Sequence, residues 1–482
     1  MRTNWITVML LILCLCLMPA LVRAEIISSG FCGAQGENLT WTLDENGLLM
    51  ISGEGAMQDF AWDDSPFFFN TSIESVVITE GVTHIGQFAF LSCYSISSVS
   101  LPESLESIAG SAFTQCFAMH EVALPDHLQS LGDGAFATCG LSGSMFIPAS
   151  VSEIGYGAFL ETALEAIEVD PDNPNYVSVD GVLFTKDMKT LLQYPERRPG
   201  SIYEVPDGTE QFSSISFFSC TELESVFLPA SLREIDEDQC FQFCDALQEI
   251  TVDAENLNYA SLDGVLFTKD VKKLIRYPDN REAVTYAIPD GVETIGPFAF
   301  FHSLHVTKID IPEGVEGIGW CAFGECQNLH KVVFAASVRT ISSVAFSECT
   351  DLTIYGRSDS YVQSFALSQN IPFRALDRDI QWSLVLPDDL TEIEKEAFAG
   401  DSSVTSVKLG EAVRSIGSGA FAMCTMLEDV WIPKGVTSIA QDAFDPDQPL
   451  IFYGTYGSAA QAYADAQGFV FVVSDEEMDK QT

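Results

Sequence analysis

The chain has 482 residues, 47% of them hydrophobic and only 19% charged, which is the balance of a folding chain with a large core rather than of a disordered acidic one. With 69 Asp plus Glu against 23 Lys plus Arg the formal net charge is −46. That charge repels phosphate backbones and anionic lipid surfaces, so it argues against nucleic acid and against an anionic membrane as partners.

Residues 1–24 read as a secretory signal peptide: one cation in MRTNW, the apolar run ITVMLLILCLCLMPALV, then small residues at Val22 and Ala24. The mature protein is therefore expected outside the cell, secreted or at the cell surface. Residues 25–72 are predicted as an N-terminal β cap. Within them NLTWTLDENGLLMIS, residues 38–52, alternates Leu39, Trp41 and Leu43 and sets Asn46 and Gly47 at a tight turn, which predicts a β-hairpin.

From there a repeat takes over. Phe90, Phe113, Phe136 and Phe159 are spaced by 23 residues. The same unit returns at Phe217, Phe241, Phe300, Phe323, Phe346, Phe398, Phe421 and Phe444, which predicts about twelve coils. In the coil beginning at Ile96, Val99 and Leu101 alternate as a short strand buried on one face, and Pro102 ends it. Leu105, Ile108 and Phe113 then return the chain with their side chains turned inward. Each coil buries a face that only its neighbours can cover, so the predicted fold is a β-rich solenoid with the twelve phenylalanines as its structural core.

LPESLESIAGSAFTQC, IPEGVEGIGWCAFGEC and LGEAVRSIGSGAFAMC resemble the BspA-type leucine-rich repeat. The resemblance covers most of residues 73–471. It implies a curved leucine-rich-repeat solenoid with a parallel sheet on the concave side, carried by secreted and cell-surface proteins that include adhesins for host proteins.

Two interruptions stand out. DGVLFTKDMKTLLQYP at Asp180 and DGVLFTKDVKKLIRYP at Asp263 are near-copies lying in excess stretches near 170–200 and 253–283. Each reads as a β-hairpin insert that either projects from one edge of the solenoid or lengthens a coil. Two similar endings, IYGRSDSYVQSFALSQNIPF and FYGTYGSAAQAYADAQGFVF, each read as strand, short helix, strand, and divide the repeats into blocks at 73–376 and 377–474, with a hinge near ALDRDIQW and an acidic tail at 475–482.

Eight cysteines, Cys93, Cys116, Cys139, Cys220, Cys244, Cys326, Cys349 and Cys424, sit three positions after the repeat phenylalanine. Stacked side chains point parallel to one another, so they are read as a buried reduced ladder rather than as disulfides. The sequence offers no metal-ligand spacing, cofactor motif or catalytic signature, and neither metal, cofactor nor catalytic residue is assigned. The outward positions of the concave strands carry the binding hypothesis: Val77, Phe227, Val333, Val385, Lys408 and Trp431, with Phe227 and Trp431 as exposed aromatic anchors. The function read from the sequence is an exported, non-enzymatic binding protein for a protein or glycan at a cell or host surface. A structural stalk or self-assembly module is the alternative, with an exported hydrolase behind it.

Overall fold

The computed structural model describes residues 24–236, 239–377 and 382–473. The residues before Ala24 that read as a signal sequence, the centre of the predicted hinge at 378–381 and the predicted acidic tail lie outside the described residues. The chain forms two compact units, one of Met1–Gly200, Gly208–Glu222 and Glu234–Asp236, the other of Ser201–Asp207, Leu223–Arg233 and Glu237–Thr482.

In the first unit, strands Ile26–Gly33, Gly36–Asp44 and Leu48–Gly53 form an antiparallel meander. Its last strand pairs in parallel with Ser75–Ile78, and that strand with Ser98–Ser100. The cap thus has one strand more than the predicted hairpin. Along the other side run Gly55–Ala56, Val82–Ile85, Ser107–Ile108, Ser130–Leu131 and Glu153–Ile154, all parallel. Between the two ladders Leu105, Ile108, Ala112, Phe113 and Cys116 are buried, as are their counterparts in neighbouring coils.

The phenylalanines stack. Ring centroids lie 5.0 Å apart for Phe90 and Phe113, 5.4 Å for Phe113 and Phe136, and 6.0 Å for Phe136 and Phe159. Their backbones form a ladder as well: Phe113 N donates to Ala135 O at 2.8 Å and Phe136 N to Ala158 O at 2.8 Å. Around Phe113 the chain turns two corners, with Ser111 at φ 52° and Gln115 at φ 64°. The glycine after the isoleucine works differently. Gly132 has no left-handed φ, but a Cβ there would lie 2.4 Å from Gly110 N of the preceding coil, so close packing selects it.

Twelve coils is too few, because not every rung carries the repeat phenylalanine. Phe67 heads the first stack at 5.2 Å from Phe90, while Tyr194 and Tyr277 take the phenylalanine's place within the inserts, 5.4 Å from Phe217 and 4.9 Å from Phe300. The inserts are built into the solenoid and do not project as hairpins. Each is a three-stranded antiparallel meander, Tyr176–Val179, Val182–Thr185 and Thr190–Gln193 in the first, Tyr259–Leu262, Val265–Thr268 and Lys273–Arg276 in the second. The last strand of each joins the parallel ladder, pairing with Gln211–Phe212 and Thr294–Ile295 respectively. Phe184 and Phe267 are fully buried, and this apolar middle strand is what keeps the meander inside the stack.

In the second unit, the strands Thr285–Ala287, Lys308–Ile311, Lys331–Phe334, Thr353–Gly356 and Phe373–Ala375 form one sheet. Leu384–Val385, Ser406–Lys408, Asp429–Trp431, Ile451–Gly454 and Val470–Val473 form another. Helix α1, Tyr361–Ser368, and helix α2, Ala459–Gln467, close the two repeat runs; Ser360 and Ser458 cap them by accepting from the N–H groups of Gln363 and Gln461.

Candidate functional site

A strand with one face in the core presents its alternate residues outward, and parallel register lines these up from coil to coil. In the first unit the outward row runs through Thr42, Met50, Val77 and Ser100, each paired with the next. Farther along, Phe146 pairs with Glu168. Met50, Ser100, Phe146 and Glu168 are exposed and Val77 is half-buried, with Phe146 at 50%. Phe146 lies on the 23-residue register of Val77 and is the anchor that the sequence reading missed, because SGSMFIPAS lacks the V-x-L signature of its neighbours.

In the second unit the corresponding row is covered along most of its run from Asp310 to Val472, with Val385 left exposed at an edge. Asp310, Val333, Tyr355 and Arg374 are paired in sequence across one sheet, and Val385, Lys408, Trp431, Tyr453 and Val472 across the other. Tyr355, Trp431, Ile451, Tyr453 and Val470 form one apolar cluster with Val333, Leu376, Trp382 and Val472 packed against it. The two outward faces therefore pack on each other. Trp431 is 8% exposed and Tyr355 0%, which corrects the expectation of an exposed anchor at Trp431: a second sheet of the same chain lies against it.

Charge reinforces this contact. Lys308 Nζ donates to Phe469 O at 3.1 Å and Lys331 Nζ to Gly468 O at 2.9 Å, both at the carbonyl-rich end of α2. Lys331 also lies over the Phe469 ring, and Arg374 faces Glu428 at 3.6 Å. Burial, with Lys308 adding like charge, pushes the Lys331 ammonium down to about 8.

Elsewhere, eleven of the twelve repeat phenylalanines are buried, while Phe398 is half-buried at the first coil of the last run, where Phe421 stacks on it from one side. Cys32, Cys93, Cys116, Cys139, Cys321, Cys326, Cys349 and Cys424 form no disulfide. Most of the ladder thiols tie their coil to the one before it, whereas Cys220 and Cys244 donate within their own coil to Phe218 O and Gln242 O. Cys93, Cys139, Cys326 and Cys424 donate to the carbonyls of Phe67, Phe113, Phe300 and Phe398 one coil back, at 2.8–3.0 Å. Burial pushes the thiols of Cys93 and Cys349 up to about 12, which keeps them protonated and slow to oxidise.

Among the described residues no group of three or more His, Cys, Asp or Glu is placed to hold a metal. In DPDNPN, Asn173 is buried and donates to Pro148 O and Val151 O, both at 2.9 Å, so it ties the insert to the coil before it. Asn256 does the same in the second insert with Pro229 O and Leu232 O. Phe227 is half-buried in an outward row between Glu204 and Thr251. Beside that row an open groove of about 580 Å³ is lined by Ile202, Glu224, Glu249, Asp263 and Arg281, among others.

The profile of the BspA-type leucine-rich repeat region matches residues 64–179, 201–274, 278–368 and 369–450, in six copies. The chain belongs to the BspA-type leucine-rich repeat family. Among solved structures the BspA-type chain is similar to a leucine-rich repeat protein of Eubacterium ventriosum, with 22% identity, 87% of this chain and 95% of that one covered, and a TM-score of 0.38. A leucine-rich cell surface protein of Faecalibacterium prausnitzii has 21% identity over 89% and 95%, with a TM-score of 0.39. The pneumococcal vaccine antigen PcpA has 19% identity over 94% and 99%, with a TM-score of 0.37. No curated protein matches it.

On this BspA-type frame the predicted binding residues fall into three environments. Val77 and Phe227 are half-buried in rows with exposed members. Val385, at 63%, is exposed at the start of the last sheet. Val333, Lys408 and Trp431 belong to the face-to-face contact, with Lys408 Nζ 4.9 Å over the Trp431 ring.

Proposed function

We propose that this chain is an exported, non-enzymatic recognition protein that holds a protein partner on the outward row of its first unit. The observation that carries the reading is the exposure of Met50 and Ser100 with half-buried Val77 on one sheet and of Phe146 and Glu168 on the next, at the same position of the repeat, apolar anchors set among polar neighbours. A net charge of −46 favours a partner with basic patches. No described helix is long and apolar enough to cross a membrane. The leader at 1–24 supports export, and the family supports a surface role in adhesion.

The test is Phe146→Ala combined with Val77→Ala in the mature chain, measured for binding to extracellular-matrix and cell-surface protein preparations. Binding that drops at least tenfold with unchanged thermal unfolding supports the reading; undiminished binding refutes it. Self-assembly is favoured by one separate observation: the edge strand Ile26–Gly33 exposes Ile26, Ile27 and Phe31. A concentration-dependent increase in mass by light scattering, abolished by Phe31→Lys, would support that alternative.

A further inference from the structure

In the second unit the outward row that would correspond to a recognition surface is occupied by the chain itself. The occupant's chemistry is specific. Lys308, ion-paired with Asp310 of its own strand at 3.2 Å, and Lys331, which has no carboxylate beside it among the described residues, meet backbone carbonyls at the end of α2, Arg374 meets Glu428, and between them the rings of Tyr355, Trp431 and Tyr453 share an apolar patch. Lysines are scarce in a chain with 23 basic and 69 acidic residues, yet two lie in the same register on neighbouring strands, Lys308 paired with Lys331.

The fit is also incomplete. The Tyr355 hydroxyl is fully buried and has no hydrogen-bond partner among the described residues, and Lys331 is held largely out of water against like-charged Lys308. An apolar contact optimised only for cohesion has no use for two desolvated ammonium groups and an orphan hydroxyl. A surface adapted to an anionic segment bearing aromatic rings has use for all three.

We propose that the last repeat run is a self-ligand: residues 428–472 hold the place of an acidic, aromatic-bearing protein segment on the row Lys308, Lys331, Val333 and Tyr355, and such a segment competes with them. This extends the proposed use of outward rows for protein recognition to a second, gated surface. Its ligand charge is opposite to that favoured by the rest of the protein.

The probe is the random copolymer poly(Glu,Tyr), with polyglutamate and poly(Lys,Tyr) as controls, and binding to the full chain is measured by fluorescence anisotropy. The contact is loosened by Glu428→Ala with Phe469→Ala. The loosened chain should bind poly(Glu,Tyr) at least tenfold more tightly than the wild type and more tightly than polyglutamate. Adding Lys308→Met and Lys331→Met should return it to the wild-type level. Equal binding by wild-type and loosened chains, or tight binding that survives loss of both lysines, overturns the proposal. Should the loosened chain not fold, Glu428→Ala alone serves instead, with at least a threefold gain expected and no gain overturning it. Phe146→Ala leaves poly(Glu,Tyr) binding unchanged, so failure at this surface is separable from failure at the first unit's row.

Discussion

Phe146 and Trp431 occupy the same register of the same repeat, one in each unit, yet Phe146 is half in solvent and Trp431 is enclosed. The coil around them is similar, so the difference lies in what faces the sheet. The repeat determines which side chains leave the core; it does not determine whether they meet water, a partner or another part of the chain. An outward strand position in such a solenoid is therefore a candidate site only where the opposing face is open.

Truncation should separate the two positions most strongly. Trp431→Ala removes a side chain packed with Tyr355, Tyr453 and Val470 and is expected to cost about 3–5 kcal/mol in urea unfolding. Phe146→Ala is expected to stay within about 0.5 kcal/mol of the wild type. Similar losses at both would erase the comparison.

The two inserts offer a second contrast. Asp279 is buried against Arg276 and accepts from Cys244 N at 2.9 Å. Glu196, the equivalent residue, is also buried but has Gln193 where the second insert has Arg276. Asp279→Asn strips a buried cation of its partner, and about 3–5 kcal/mol should be lost. Burial pushes both carboxyls up, that of Asp279 to about 7 against the pull of Arg276 and that of Glu196 to about 8. Between the ordinary carboxylate range and pH 8 the folded chain keeps a proton that the unfolded chain releases, so stability falls as pH rises through that window. Glu196→Gln should remove about 1–3 kcal/mol of that fall between pH 5 and pH 8, read as the difference in thermal-unfolding profiles between variant and wild type. Parallel profiles would show that Glu196 is ionised when folded.

Lys331 gives the smallest and opposite effect. Its pKa is pushed down to about 8 from an ordinary 10.5, so between those values the unfolded chain binds the extra proton and stability rises with pH. Lys331→Met should change stability by less than about 1 kcal/mol at pH 7, because the lost bond to Gly468 O is offset by removal of a desolvated charge, and should lose the rise above pH 8.

Much of the stack was legible because the physical requirement repeats: a plug, a small residue before it and a thiol three residues later recur wherever a coil must fill the same space. Tyr194 and Tyr277 escaped because LLQYP and LIRYP keep the plug but drop the alanine–phenylalanine pair that marks it. Phe146 escaped because its strand starts differently. The face-to-face contact has no local signature, since it depends on side chains far apart in the chain, from Arg374 with Glu428 to Lys308 with Phe469. One trace was present: IFYG at 451–454 is apolar on both parities, as strands buried on both faces are.

The central claim is that one outward row is open and the other covered, and hydroxyl-radical footprinting of the unmodified mature chain tests it most directly. Normalised to the rates in urea, Phe146 should be oxidised nearly as fast in the folded protein, while Tyr355, Trp431 and Tyr453 should be protected at least tenfold. Trp431 and Tyr453 labelling at the rate of Phe146 would contradict the account.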